Sequence, residues 1–215
     1  MKKYDAVIFD LDGTLLDTLQ DLANSANWAL ERQGLGPHSL DDIRSFVGNG
    51  VRSLMAKALP GGEGYPRFEE AFADFRSHYA EHCRDCTRPY PHIMELVENL
   101  SVKGYMLAVV SNKSDAEVKR LCEEHFGALI PVAVGERAGI RRKPAPDSVL
   151  HTLEELGIEK SRAVYVGDSE VDIETAGRTG VDCIAVTWGF RSVAQLKEAG
   201  ATTIIDFPLA LMELV

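Results

Sequence analysis

The sequence predicts an α/β fold: a doubly wound parallel sheet with an all-helical segment inserted after its first strand. Three observations carry this expectation. From residue 92 onward, apolar runs of four to six residues alternate with helical patterns, as in a parallel sheet covered on both faces. One more such run, Ala6-Val7-Ile8-Phe9, stands near the start, separated from the rest by residues 15–88, which read as helices and loops. The 215 residues suffice for one sizeable core and a smaller second unit. The expected division is a core of residues 1–14 and 89–215, and a helical unit of residues 15–88.

Residues 4–9 read as the first buried strand. Residues 17–32 read as a helix, because Leu15, Leu19, Leu22, Ala23, Ala26 and Leu30 recur at three- and four-residue steps before Gly34-Leu35-Gly36-Pro37 stops it. Asp17, at its entry, is expected to cap it. Ser39-Leu40-Asp41-Asp42 caps the next helix, Val47-Gly48-Asn49-Gly50 interrupts it, and Val51 to Leu59 resumes. Pro60 to Gly64 is a loop, and residues 66–83 form the last helix of the block. Beyond Pro89-Tyr90-Pro91 the expected order is helix 93–102, strand Met106–Val110, helix 114–125, strand Ala128–Val134, helix 146–156, strand Ala163–Val166, helix 170–178, strand Cys183–Val186, helix 192–199 and strand Thr203–Ile205.

In an open parallel sheet, ligands bind beyond the carboxyl ends of the strands. The first strand ends in Asp10-Leu11-Asp12-Gly13-Thr14, a later one in Ser111-Asn112-Lys113, and another in Gly167-Asp168; between them lies Arg142-Lys143-Pro144-Ala145-Pro146. Two carboxylates two residues apart raise each other's pKa unless a cation holds them. An oxygen-only set suits Mg²⁺. Acids, a hydroxyl and a lysine on one rim are what a phosphoryl group and Mg²⁺ require. Taken singly, Ser111 could be a helix cap, Lys143 a solvated charge and Asp172 a first-turn acid; together at the strand ends of one sheet they point to catalysis.

In order and spacing, these segments resemble the four motifs of the haloacid-dehalogenase-superfamily phosphatases: Asp10-Leu11-Asp12-Gly13-Thr14; Ser111 with Asn112 and Lys113; Lys143 in Lys-Pro-x-Pro; and Gly167-Asp168-Ser169-Glu170-Val171-Asp172. The resemblance spans the chain and implies a Rossmann-like core with a helical cap. Phe46-Val47-Gly48-Asn49-Gly50-Val51 and the segment around Pro89-Tyr90-Pro91 are most similar to the phosphoglycolate phosphatases. His92 departs from that family, which often places glycine there.

The resemblance implies Asp10 as nucleophile forming an aspartyl-phosphate and Asp12 as general acid and then general base. Ser111, the backbone N–H groups near Asn112, and Lys143 would hold the phosphoryl group. Mg²⁺ would be bound by Asp10, Asp168 and the Asp12 carbonyl, with Asp172 steadying it through water or a neighbouring ligand. In the cap, Gly48, Asn49 and Gly50 would present backbone N–H groups and Arg52 a bidentate grip on a substrate carboxylate. The expected activity is Mg²⁺-dependent hydrolysis of a small anionic phosphorylated metabolite, 2-phosphoglycolate foremost.

Pyrophosphatase, nucleotidase and phosphosugar mutase are the alternatives within the superfamily. A mutase usually carries a histidine early in its first cap helix, and Thr18-Leu19-Gln20-Asp21-Leu22 has none. A dehalogenase has no need of Asp12, and no convincing cap lysine suggests a phosphonatase. From another class, a receiver-type switch also phosphorylates an Asp, but it lacks the acid/base that Asp12 offers. No G-x-G-x-x-G, G-x-S-x-G or P-loop occurs.

A net charge of −10 disfavours nucleic acid or an anionic membrane as partner. No apolar signal-like run follows Met1 and no apolar stretch is long enough to span a membrane, so a cytoplasmic location is expected, consistent with four cysteines. The sequence does not fix an oligomeric state. Cys83-Arg84-Asp85-Cys86, with His78 and His82 upstream, has the spacing of half a zinc site or of a redox pair, but no second C-x-x-C follows and ordinary packing is expected.

Overall fold

The computed structural model describes residues 2–215. It divides into two compact units, one formed by the residues up to Leu16 with Pro89–Val215, the other by Asp17–Arg88. The chain leaves the first unit at β2 (Leu16–Asp17) and returns at β3 (Arg88–Pro89).

The first unit is built on a six-stranded parallel sheet. Its strands are β1 (Ala6–Phe9), β4 (Met106–Ser114), β5 (Val132–Glu136), β6 (Ala163–Gly167), β7 (Asp182–Val186) and β8 (Ile204–Ile205), in the order β5-β4-β1-β6-β7-β8. β1 is central, with Phe9 in register with Val109 on one side and Val166 on the other. From β1 the chain winds outward through β4 and β5, then recrosses to β6 and winds the other way. The direction of winding reverses beside β1, the position at which such sheets bind ligands.

The inner strands are buried on both faces, so neither face reads as polar. Alternate residues enter two separate cores: Val7, Phe9, Val109, Val164 and Val166 face one, and Ala6, Ile8, Val110 and Tyr165 the other. Helices α5 (Ile93–Val102), α6 (Asp115–Phe126), α7 (Asp147–Leu156), α8 (Glu170–Thr179) and α9 (Val193–Glu198) complete the alternation.

Two strands differ from the sequence expectation in ways that matter. β4 runs past Val110 through Ser111, Asn112 and Lys113, with a register shift before Ser114; the motif residues lie on the strand's end rather than after it. β5 begins at Val132 rather than Ala128, because Gly127–Leu129 forms a 3₁₀ turn and Pro131, lacking an N–H, cannot open the ladder. A 3₁₀ segment at Pro208–Glu213, packed near α5, had no periodic signal in the sequence. His92 sits at φ 65°, in the left-handed region, which accounts for the glycine often found there in the resembling family.

The second unit consists of α1 (Leu19–Arg32), α2 (Leu40–Phe46), α3 (Gly50–Ala58) and α4 (Phe68–His82). α1 packs on α4, burying Leu22, Ala26 and Leu30 along one face with Phe75 and Tyr79 from the other helix. Ser39 and Asp42 form a reciprocal capping box at α2. Asp17 accepts the Leu19 N–H at 3.4 Å at the entry of α1. Asp21 is a buried acid on α1 that accepts from the Cys86 N–H (3.0 Å), the Thr87 N–H (2.8 Å) and the Thr87 hydroxyl (2.8 Å). No helix among the described residues is long and apolar enough to cross a membrane.

Candidate active site

The site grows from the end of β1. Asp10 continues the ladder by donating its N–H to the Val166 carbonyl at 2.9 Å. The chain then coils tightly: the Leu11 carbonyl accepts from Thr14, Leu15 and Leu16, and Gly13 turns at φ 87°. Leu11 is thereby buried in the apolar core while Asp10 and Asp12 are turned to the rim. A Cβ on Gly13 would lie 2.5 Å from Asp168 Oδ2, so only glycine fits where this coil meets β6.

Asp10, Asp168 and Asp172 bring one carboxylate oxygen each within 4.8 Å of one another, all three residues being buried. No other group of three such ligands occurs among the described residues; Cys83, Cys86, His78 and His82 do not assemble one. His82 Nδ1 instead pairs with Asp85 at 2.8 Å, and His78 Nδ1 with the Ser25 hydroxyl at 3.0 Å.

The electrostatics of the cluster favour a cation. Burial pushes the Asp10 carboxyl up to about 7, with Lys143 opposing and Asp172 adding to the rise. Asp168 is pushed well above the usual carboxylate range, again by burial first and then by Asp172 and Asp10. Its Oδ2 accepts the Phe190 N–H at 2.7 Å and its Oδ1 the Thr14 hydroxyl at 3.3 Å, which fixes its orientation. Three convergent carboxylates, oxygen donors only, match a hard divalent cation.

Lys143 is the organising cation. Its Nζ donates to Asp10 Oδ1 (2.8 Å), Asp172 Oδ1 (2.7 Å) and the Tyr165 hydroxyl (2.9 Å), using all three of its protons. Burial pulls the ammonium's pKa down, but Asp10 and Asp172 outweigh it and hold Lys143 well above its ordinary value. Tyr165 in turn donates to the Val110 carbonyl at 3.0 Å. The Asn112 side chain braces the same segment, its Nδ2 donating to the Lys143 carbonyl at 3.0 Å. Asp172 also caps α8, its Oδ2 accepting from the Ser169 N–H (3.1 Å) and hydroxyl (2.6 Å).

Ser111 is buried on β4, and its hydroxyl accepts the Lys113 N–H at 3.2 Å. Two residues on, the Lys113 ammonium grips both oxygens of Asp12, at 2.8 and 3.1 Å, and is itself buried. The first unit therefore brings together Asp10, Asp12, Ser111, Asn112, Lys143, Asp168 and Asp172. Gly48, Asn49, Gly50 and Arg52 belong to the second unit. There Gly48 and Gly50 take positive φ (127° and 78°), Asn49 precedes α3, and the Arg52 guanidinium is engaged by Glu69 (2.6 and 3.3 Å) and Glu63 (3.5 Å) over the Phe68 ring.

Two residues of the site were not read from the sequence as functional. Lys113 carries a signal: alternation along a strand running through Ser111 takes residue 113 to the same face. Tyr165 carries another, a hydroxyl in an otherwise apolar strand, which needs a buried partner.

Comparison with known proteins gives a consistent result. The family model for haloacid dehalogenase-like hydrolases matches residues 7–186. A phosphoglycolate phosphatase of Aquifex aeolicus is 37% identical over 86% of this chain and 85% of its own length. One of Agrobacterium fabrum is 35% identical over 93% and 88%. A solved structure from Lactobacillus delbrueckii subsp. bulgaricus, whose own assignment as a phosphoglycolate phosphatase is provisional, superposes with a TM-score of 0.93 at 40% identity, covering 99% of this chain and 98% of that one.

Proposed function

We propose, for a chain that belongs to the haloacid dehalogenase-like hydrolases, that it is a Mg²⁺-dependent phosphoric monoester hydrolase with 2-phosphoglycolate as substrate. The observation that carries the reading is the convergence of Asp10, Asp168 and Lys143 at the end of β1, with Asp12 two residues beyond the nucleophile. The choice of ester rests on the names borne by the relatives in Aquifex and Agrobacterium.

In this reading an Asp10 oxygen attacks phosphorus, and the bond from phosphorus to the leaving oxygen breaks. Asp12, protonated, gives its proton to that oxygen. Asp12, now a carboxylate, takes a proton from the water that attacks the aspartyl-phosphate, and Asp10 is released with inorganic phosphate. General acid and base roles of this kind contribute roughly 10²–10⁴-fold each. Ser111 and the backbone N–H groups near Asn112 bind the phosphoryl oxygens, and Lys143 sets a fixed positive charge against the phosphoryl group while keeping Asp10 aligned. Asp10, Asp168 and the Asp12 carbonyl would hold Mg²⁺, with Asp172 beside them. Bound there, it neutralises the repulsion between the Asp10 carboxylate and the phosphoryl dianion. Asp12 separates this reading from a phosphorylated switch, because it makes the aspartyl-phosphate short-lived.

The test is phosphate release from a panel of phosphorylated metabolites, with Mg²⁺ or EDTA. The expected result is Mg²⁺-dependent release with 2-phosphoglycolate ranking first by kcat/KM. Release from no ester contradicts the hydrolase reading; another ester ranking first contradicts the substrate.

A further inference from the structure

We propose that Lys113 is the specificity-determining residue of this site, the cation that receives the carboxylate of the leaving group; the inference rests on the phosphoglycolate reading. Lys113 is 3% exposed, and its ammonium lies 2.8 and 3.1 Å from the two oxygens of Asp12. In the proposed reaction Asp12 hydrogen-bonds the leaving oxygen, so the ammonium lies within roughly 5–6 Å of that atom, the sum of two hydrogen-bond lengths. In 2-phosphoglycolate the carboxylate oxygens are about 3 Å from the ester oxygen, given ordinary bond lengths. The carboxylate therefore falls within direct reach of Lys113 once the phosphoryl group is seated against Asp10.

The other cations are committed elsewhere. Lys143 spends its three protons on Asp10, Asp172 and Tyr165. Arg191, the remaining buried cation among the described residues, forks onto Glu170 at 2.7 and 3.2 Å. Arg52, the sequence-based candidate for this carboxylate, is clasped by Glu69 and Glu63. A carboxylate taken into a buried rim needs a paired cation, because desolvation otherwise exceeds what binding returns. Lys113 supplies that charge at the one place the leaving group must occupy. The grip on Asp12 holds the ammonium there beforehand, and when Asp12 turns to the leaving oxygen the substrate carboxylate takes over as counter-ion.

The chemical class selected is a phosphate ester whose leaving group carries a carboxylate on the carbon that bears the ester oxygen, that is, an α-phosphooxy acid. The experiment compares 2-phosphoglycolate with 2-hydroxyethyl phosphate, an ester of the same length with a hydroxymethyl group in place of the carboxylate. Both are assayed with Mg²⁺ in the wild type, Lys113→Met, Lys113→Gln and Lys113→Arg. The wild type is expected to prefer the carboxylate ester. In the Met and Gln variants that preference should fall by at least about 30-fold, mostly through KM for 2-phosphoglycolate, the scale of losing one hydrogen bond to a charged group. Lys113→Arg should retain most of it. If Lys113→Met fails to fold because Asp12 has lost its partner, Lys113→Gln carries the test, since its amide still donates to Asp12. Equal losses on both esters would show that Lys113 acts only through Asp12 and would overturn the inference, as would an unchanged preference. A wild-type enzyme indifferent between the two esters contradicts the phosphoglycolate reading itself and removes the inference with it, a result visible before any variant is made.

Discussion

The Lys143 ammonium lies 2.8 Å from Asp10 Oδ1, and both side chains are buried. The pair is not isolated: Asp172 and Tyr165 complete the ammonium's shell. Lys143→Met removes the charge and keeps the bulk, leaving Asp10 and Asp172 facing each other. Breaking a buried pair in this way costs about 3–5 kcal/mol. The expected outcome is a marked fall in the urea unfolding midpoint of the metal-free protein. A loss of about 10³-fold in kcat/KM should accompany it, the scale of removing a preorganised charge from a phosphoryl site. A variant that keeps both stability and activity contradicts the role given to Lys143.

Gly189 is packed as tightly as Gly13. A Cβ there would stand 2.3 Å from the Gly13 carbonyl oxygen and 2.4 Å from the Asp168 Cβ. Gly189→Ala must displace Asp168 and loosen its Phe190 N–H bond. The Mg²⁺ concentration for half-maximal activity should rise by about 10–100-fold, the usual cost of disturbing a ligand's supporting contacts. Gly177→Ala is the contrast: this helical glycine of α8 has open space at its Cβ, and the substitution should stabilise by about 0.5–1 kcal/mol without changing the Mg²⁺ requirement.

Without a cation, the carboxyl of Asp10 is raised by burial from 3.8 to about 7, so the fold favours its protonated form. That stabilisation is fully present below about pH 4 and is lost as pH rises through about 7. Asp168 shifts in the same direction. Cation binding requires the ionised forms, which the metal-free fold disfavours least at high pH. The melting temperature of the metal-free protein should therefore fall between pH 5 and pH 8, and the increment produced by Mg²⁺ should be larger at pH 8. Equal increments at both pH values contradict the assignment of Asp10 to the cation site.

Much of this was legible in the sequence, and the limits have physical causes. The alternation of apolar runs with helical periods located each strand of the six-stranded sheet, and with it Asp10, Ser111 and Asp168 at carboxyl ends, but gave no sign of the short pair β2 and β3. Strand bounds were less legible where a local feature overrode the apolar run: Pro131 delays β5, and β4 keeps pairing through the polar residues Ser111 to Lys113. Pairings across the fold were not legible at all. Nothing near Lys113 in the chain points to Asp12, 101 positions away, and Arg52 offers no sign of Glu69 until α3 and α4 are folded. Asp21 reads as an ordinary acid in the first turn of a helix, yet it is 1% exposed.

Asp21 offers a test confined to the helical unit. Its carboxylate satisfies the Cys86 and Thr87 N–H groups and the Thr87 hydroxyl. Asp21→Ala leaves these donors buried without an acceptor, at a cost of about 3 kcal/mol by the usual scale for charged hydrogen bonds. Hydrogen exchange should show faster opening at residues 86 and 87, while Mg²⁺ affinity stays unchanged. Unaltered exchange there contradicts the fastening role.

The most direct test of Asp10 as nucleophile is to trap the covalent intermediate. Enzyme mixed with 2-phosphoglycolate and Mg²⁺ is quenched in acid within one turnover, treated with borohydride, and digested for mass spectrometry. An aspartyl-phosphate is reduced to homoserine, so that change is expected at position 10 and at no other aspartate, with none in EDTA. Reduction at Asp12 or Asp168, or phosphate release with no reducible acyl phosphate at any quench time, would contradict Asp10 as the nucleophile.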